Sequence, residues 1–263
     1  MLSIVIVNFK NPALLRLCLK SLERNLGKEF QREIIVIDVA SSTSTRNVVT
    51  EEFPEVKLVP FKDNIGFTRG VNEGIKKSRG DFILLLNADL IPMPQAIEKM
   101  YGYMENHPEI GIMGPKLINF DGSDQDSCFR FPTPWTIVFR RTPLGQTYFG
   151  KKHLNNFLMS DCDKSKAIEA DWLFGSPIMI SKKAIDKVGL MDERFFLYMS
   201  DVDWPRRFWE NGFKVLYYPD AKMYHYHLRH SKGRYGIFDV LFKKESRWHI
   251  KDALRYFIKY GFK

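Results

Sequence analysis

The sequence predicts an α/β fold: a mostly parallel central sheet covered by helices on both faces, followed by a C-terminal amphipathic helical tail. Three observations carry this. Five short apolar runs recur in the first 115 residues, at 2–7, 34–38, 56–61, 82–86 and 110–114, each about the length of a buried parallel strand and apolar without alternation. Segments with helical spacing lie between them, and the resulting β-α-β order is that of parallel strands joined by helical crossovers. The tail, 246–261, places Ile250, Ala253, Leu254, Phe257 and Ile258 on one helical stripe beside an i, i+4 row of Arg247, Lys251, Arg255 and Lys259.

Taken in order, the run at 2–7 leads into a helical pattern at 12–25 with Leu15, Cys18, Leu19 and Leu22 on one face. The later pattern at 95–106 carries Ile97, Met100, Tyr101 and Met104 in the same way. Residues 119–165 change character: rich in Phe, Pro, Thr and Asn with weak periodicity, they read as long loops around short elements near the acceptor side. An apolar block at 172–180 then precedes a short helix at 182–188 and a strand pair at 214–218 and 221–225. The organisation expected is a catalytic domain over 1–228, with a nucleotide-binding half (1–115) and an acceptor-side half (116–228), and a basic tail over 229–263.

Bulk properties narrow the class. No stretch of about 18 apolar residues is present, and the N-terminus enters a strand-like run without a basic n-region and cleavage site, so a cytoplasmic protein is expected. The three cysteines, Cys18, Cys128 and Cys162, form no CxxC and are expected to be reduced and structural. The net charge is +9, and the segment 229–263 alone holds ten Lys or Arg against three acids. That sign suits nucleic acid, anionic lipid or a phosphorylated substrate alike, but no nucleic-acid-binding module is recognisable. Gly66, Gly70 and Gly74 do not spell GxGxxG, which disfavours an NAD-type site.

Polar residues directly after the apolar runs are the chemical signal. Ligands of parallel α/β sheets bind beyond the carboxyl ends of the strands, where Asn8, Asp38, Asn87 and Asp89 are expected to meet. In a strand, residues i and i+2 face the same way, so Asn87 and Asp89 would present oxygens to one point, suited to Mn²⁺ or Mg²⁺ holding a diphosphate. An Asx turn after the strand is the competing reading, and helix or turn capping competes for Asp38.

The ordered blocks SIVIVNFKNPALLRLCLKSL, EIIVIDVASSTST, DNIGFTRGVNEGI, LLLNADLIP, GPKLINFDGS, WLFGSPIMI, GLMDERFFLYMSDVDWPRRF and YYPDAKMYH resemble a family 2 glycosyltransferase of the GT-A fold, of the bacterial rhamnosyltransferase branch. The resemblance runs nearly end to end. It implies inverting transfer of a sugar, L-rhamnose from dTDP-L-rhamnose in that branch, to a saccharide acceptor that is lipid-linked. The alternatives are another donor such as a UDP-hexose, or a catalytically degenerate sugar-nucleotide binder.

Carried over residue by residue, the resemblance puts Asn8, Asp38, Asn64, Arg69 and Asn87 around the donor nucleotide. It puts Asp89 and His225 on a Mn²⁺ or Mg²⁺ ion, Asp201 as the base, and Asp171, Trp172 and Asp203 toward the acceptor. Asp203 is also the other candidate for the base. The sequence departs from the family pattern at Val39, where Asn is usual, and at Ser200, where Glu is usual. Competing readings are a surface or packing role for His225, a core role for Trp172, and Ser200 as an N-cap with Asp203 three residues on. A helix N-terminus would moreover lower the pKa of Asp201. For the tail, an interfacial helix on an anionic membrane, with Trp248, Tyr256 and Tyr260 at headgroup level, stands against a helix docked on the body. The former implies attachment to the inner face of the cell membrane.

Overall fold

The computed structural model describes residues 1–27, 29–226 and 244–261; His227, His230 and the basic run up to Lys243 fall outside the described residues. Its main sheet is built from β1 (Leu2–Phe9), β2 (Arg32–Val39), β3 (Lys57–Pro60), β4 (Phe82–Asn87), β5 (Leu90–Pro92), β6 (Ile110–Ile118), β7 (Asp124–Gln125), β9 (Ile168–Glu169), β11 (Ile178–Ser181) and β12 (Lys214–His225). The strand order is β3-β2-β1-β4-β11-β6-β12-β5, with β7 on β6 and β9 on β12. A separate pair joins β8 (Cys128–Phe129) to β10 (Trp172–Leu173). The helices are α1 (Pro12–Asn25), α2 (Thr43–Glu52), α3 (Phe67–Lys77), α4 (Ala96–Glu105), α5 (Pro134–Arg141), α6 (Tyr148–Phe157), α7 (Lys182–Val188), α8 (Ser200–Glu210) and α9 (Lys244–Tyr260).

The apolar runs are unbroken because both faces of the sheet are covered. Along β1, Leu2, Ile4 and Ile6 pack with α1, α2 and α4, while Val5 and Val7 pack with α3, α7 and α8. On β4, Leu84 and Leu86 face the first layer and Ile83 and Leu85 the second. β1, β2, β3 and β4 are parallel. One strand breaks the run: β11 inserts antiparallel between β4 and β6, so the two expected halves share a single sheet.

Local chemistry explains several boundaries. Pro12 opens α1 behind an Asn11 side chain that accepts from the Leu14 N–H. Ser42 caps α2 by accepting from the Thr45 N–H, which leaves Asp38 no capping role. The expected strand pair at 214–225 is one long strand with a register shift between Tyr218 and Lys222, a bulge that Pro219 and Asp220 accommodate. The expected loops at 119–165 contain α5, a 3-10 turn (Pro143–Gln146) and α6; short helices with mixed polar faces leave little periodicity to read. The three cysteines are free, with Cys18 and Cys128 buried.

The C-terminal helix is docked, which corrects its reading as an interface helix. Tyr256, Ala253 and Phe257 are buried against Phe195, Met199 and Val202. Trp248 stacks on Phe196 at 4.7 Å, and Tyr260 donates to Asp203 at 2.8 Å, so all three aromatic residues assigned to a membrane face turn inward. Leu254 and Ile258, with Arg247 and Lys251, have exposed side chains on this helix.

Two buried carboxylates fix this helix in place. Asp252 accepts from the backbone N–H groups of Phe196, Leu197 and Tyr198 at 3.1–3.2 Å. Asp203, fully buried, accepts from Lys259 (2.6 Å), Tyr260 (2.8 Å) and Arg207 (3.0 Å), and Lys259 also reaches Asp192 at 3.2 Å. Removing the Asp252 carboxylate strands three N–H donors, so Asp252→Ala is expected to lower unfolding free energy by about 2–3 kcal/mol in urea titration. A loss below about 0.5 kcal/mol would show that the helix is not held there.

Candidate active site

Parallel register brings the first site residues together. Asn8 ends β1 opposite Asp38 on β2, and its Nδ2 donates to Asp38 Oδ1 at 2.7 Å. Both side chains are fully buried, yet Asn8 Oδ1 and Asp38 Oδ2 have no hydrogen-bond partner among the described residues. Unsatisfied buried acceptors are costly unless something supplies donors, and a base or ribose offers N–H and O–H groups. Val39 lies in the core and packs over Gly70 of α3, so its side chain is directed away from this edge.

A cleft of about 880 Å³ opens at the same edge. Phe9, Lys10, Ser41, Lys62, Asn64, Phe196 and Trp248 are among the residues that line it. Asn64 accepts from the Gly66 N–H at 2.9 Å, which shapes the loop entering α3. Gly66 is required there: φ is +81°, and a Cβ would stand 2.6 Å from the Phe196 carbonyl oxygen. Arg69 sits on α3 with an exposed side chain and is not among the residues lining the cleft. Lys10, Lys62 and Phe196 were not signalled by the sequence, because single cations and aromatics in loops look like any surface, and Trp248 was assigned to a membrane face instead.

Asp89 is placed differently from the expectation. β4 ends at Asn87, and Ala88 and Asp89 form a turn into β5, so strand alternation does not align Asn87 with Asp89. The turn instead hands Asp89 to β12: the Tyr226 N–H donates to the Asp89 carbonyl at 2.9 Å, and His225 pairs with Leu90. The His225 Nε2 lies 3.6 Å from Asp89 Oδ2, while Asp89 Oδ1 is buried without a hydrogen-bond partner among the described residues. His225 is buried, with Nδ1 against Gln125 Oε1 at 2.9 Å and Phe174 edge-on at 5.4 Å. That arrangement directs Nε2 toward Asp89, as outer partners of metal-binding histidines do. Among the described residues no group of three His, Cys, Asp or Glu could hold a metal. One carboxylate and one imidazole still fit a divalent ion whose other ligands are phosphate and water.

Asp201 lies in the first turn of α8. Met199, in the left-handed region at φ 64°, occupies the N-cap position with no side-chain cap, so Ser200 is not the cap; its buried Oγ has no partner among the described residues. The Asp201 side chain packs on Gly175, where an added Cβ would stand 2.8 Å from Asp201 Cβ. Burial pushes the carboxyl up to about 6, against its own backbone N–H and those of Gly175, Met199 and Val202, which pull it down. Desolvation thus outweighs the helix N-terminus, and the group is ionised yet basic near neutrality.

The remaining assignments separate. Both Asp203 oxygens are committed to Arg207, Lys259 and Tyr260, so Asp203 is a structural anchor and not an acceptor contact. Trp172 is buried, donates from Nε1 to the Arg130 carbonyl at 2.9 Å and stacks on Phe129 at 4.5 Å, which gives its face to the core. Asp171 is partly exposed and accepts from the Phe131 N–H at 2.7 Å.

Residues 3–188 match the family model for glycosyl transferase family 2. The chain belongs to glycosyltransferase family 2. It is 26% identical over 238 residues to the N-acetylglucosaminyl-diphospho-decaprenol L-rhamnosyltransferase of Mycobacterium tuberculosis, covering 80% of this chain and 71% of that enzyme. It is also 26% identical over 201 residues to a dTDP-rhamnosyl transferase of Shigella flexneri, covering 75% of this chain and 61% of the relative. Among solved structures, GalNAc-T7 with UDP, GalNAc and Mn²⁺ aligns with TM-score 0.66 at 16% identity over 92% of this chain, which spans 47% of that one. TarS residues 1–349 from S. aureus with UDP aligns at 0.61 and 13% identity over 86% of this chain and 60% of that chain. The fold of this family 2 glycosyltransferase is therefore GT-A, with rhamnosyltransferases among its relatives.

The raised pKa has a sign that stability measurements can read. Ionising Asp201 costs the folded state, a penalty absent below pH about 4 and complete above pH about 6. Asp201→Asn is expected to stabilise the protein at pH 7.5, with the gain vanishing at pH 4. Equal or lower stability of the variant at pH 7.5 in urea titration would refute enclosure of this carboxylate.

Proposed function

We propose that this glycosyltransferase moves L-rhamnose from dTDP-L-rhamnose, with inversion, to a hydroxyl of a lipid-linked saccharide during cell-surface polysaccharide synthesis, working at the inner face of the cell membrane. The observation that carries the chemistry is the buried Asp89 Oδ1 beside His225, without a hydrogen-bond partner among the described residues, at the same sheet edge as the Asn8 and Asp38 oxygens that likewise have none among them. The donor sugar and acceptor class rest on the kinship with the two rhamnosyltransferases.

In this reading the nucleotide occupies the cleft between Phe9 and Trp248, with Asn8 and Asp38 accepting from its base or ribose and Lys10 and Lys62 near the phosphates. Asn87 flanks the ribose, and Asn64 and the helix carrying Arg69 border the donor. Asp89 and His225 hold Mn²⁺ or Mg²⁺, which when bound neutralises charge on the departing diphosphate. Asp201 takes the proton of the acceptor hydroxyl as that oxygen bonds to the sugar anomeric carbon and the bond to the diphosphate breaks on the opposite face. A carboxyl near 6 suits this: it is ionised at pH 7 and holds a proton better than an ordinary aspartate. Asp171 borders the acceptor.

A UDP-hexose donor is the second reading, favoured by the UDP bound in both GT-A neighbours. Thermal unfolding with dTDP, UDP and NAD, each with and without Mn²⁺, distinguishes the readings. A pyrimidine diphosphate at a hundredfold excess over its dissociation constant should add about 2.7 kcal/mol of stability in the presence of metal. Asp89→Ala should lose the metal-dependent part, and Asp201→Asn should bind donor normally while losing transfer. Transfer by Asp201→Asn at the wild-type rate would move the base elsewhere, and binding without turnover by the wild type would favour a degenerate binder.

A further inference from the structure

With the aromatic residues of α9 turned inward, its outer side carries exposed Leu254 and Ile258, and a larger group of exposed apolar side chains lies elsewhere. Among the described residues ten large hydrophobic side chains are exposed, and four of them fall between positions 135 and 149: Trp135 at 59%, Leu144 at 52%, Tyr148 at 75% and Phe149 at 76%. They project from the hairpin of α5, the 3-10 turn and α6. Scattered exposed hydrophobics need no explanation, but a local concentration marks a contact surface.

The hairpin is well built, so this exposure is not a sign of loose folding. Thr133 and Thr136 form a reciprocal cap at the start of α5, and Thr147 caps α6 through the Gly150 N–H. Thr136 Oγ1 meets His153 Nε2 at 2.8 Å across the hairpin, while Ile137 and Phe157 turn to the satellite core around Trp172. The turn backbone is paired internally, with the Gly145 N–H donating to Thr142 and the Thr147 N–H to Leu144.

Charge selects the partner. Residues 131–160 contain no Asp or Glu while carrying Arg140, Arg141, Lys151 and Lys152; with 31 acids in 263 residues, a typical segment of that length would hold three or four. Lys151 and Lys152 have exposed side chains next to Phe149. Apolar and amphipathic aromatic tips beside two exposed lysines, on a segment whose own sequence holds no acid, suit the boundary of an anionic bilayer, where rings enter the headgroup region and each nearby cation adds about 1 kcal/mol. Leu144 and Phe149 would gain nothing from a phosphate backbone in nucleic acid.

We propose that the α5–α6 hairpin docks this enzyme on an anionic lipid bilayer through Trp135, Leu144, Tyr148 and Phe149, with Lys151 and Lys152 on the headgroups. The base of the hairpin is tied to the block expected near the acceptor: Trp172 donates to the Arg130 carbonyl and the Phe131 N–H donates to Asp171. Bilayer contact there would bring a lipid-linked acceptor to the adjacent side of the fold. The docking surface itself depends on neither donor nor acceptor identity, and its test needs no turnover.

The test is flotation of the full chain with phosphatidylcholine vesicles, with and without phosphatidylglycerol, at low and high salt. Wild type is expected to float with the anionic vesicles and to be released by salt. Trp135→Ser/Tyr148→Ser/Phe149→Ser, whose melting temperature and nucleotide binding should stay as wild type, is expected to bind roughly tenfold more weakly or worse. Lys151→Glu/Lys152→Glu should lose the preference for anionic lipid. Leu254→Ser/Ile258→Ser, on the outer side of α9, should bind as wild type. The proposal is overturned if wild type floats with neither vesicle or if the triple variant floats as wild type. It is equally overturned if only the α9 variant loses binding, or if sedimentation shows the patch joining two copies of the chain and no vesicle is bound.

Discussion

Because β1, β2 and β4 run in the same direction and in register, polar residues that end them can leave the sheet only at one edge. Asn8, Asp38 and Asn87 are at that edge for this reason. Burial on both faces makes the alignment obligatory: a one-residue slip would exchange the sets of β1 side chains that face the two helical layers. The turn at Ala88 and Asp89 then crosses from the end of β4 to β5, and pairing of β5 with β12 delivers His225 to Asp89. A turn and a strand far apart in sequence thereby meet at one candidate metal position.

At the other side of the site two electrostatic effects compete. The N-terminus of α8 favours a charged carboxylate, and enclosure against Gly175 disfavours it; the carboxyl ends near 6 because enclosure is the larger effect. Enclosure of that kind requires a rigid neighbourhood. Asp252 gathers three backbone N–H groups of the loop just before α8, and Asp203 ties α8 to the end of α9 through Lys259 and Tyr260. The same helix contributes Trp248 to the wall of the cleft. A tail that looks separable is thus a buttress for both the neighbourhood of Asp201 and the wall of the cleft.

The fold class was legible because strand length, helical spacing and element order agree, as they do in sequences whose local and global preferences coincide. The places of Asn8 and Asp38 at one edge were legible from their positions after apolar runs; Asp89 was read from strand alternation, which the Ala88–Asp89 turn overturns, and His225 from family resemblance. What escaped had physical causes. The antiparallel insertion of β11 leaves no trace in a buried apolar run, which reads alike in either direction. The inward turn of α9 depends on Asp252 and on partners in the 196–203 region, beyond any local pattern. Counting apolar residues put Leu254 and Ile258 on the apolar stripe, whereas Tyr256, able to bury a ring and keep its hydroxyl bonded to Arg206, is the residue that turns to the core.

A crystal grown with Mn²⁺ and dTDP, analysed by anomalous scattering, tests the central claim most directly. The manganese peak is expected within ligation distance of Asp89 Oδ1 and His225 Nε2, bridging to the diphosphate, with the base or ribose bonded to Asn8 and Asp38. A nucleotide bound in the cleft without metal at that position, and with Asp89 turned from the diphosphate, would contradict it.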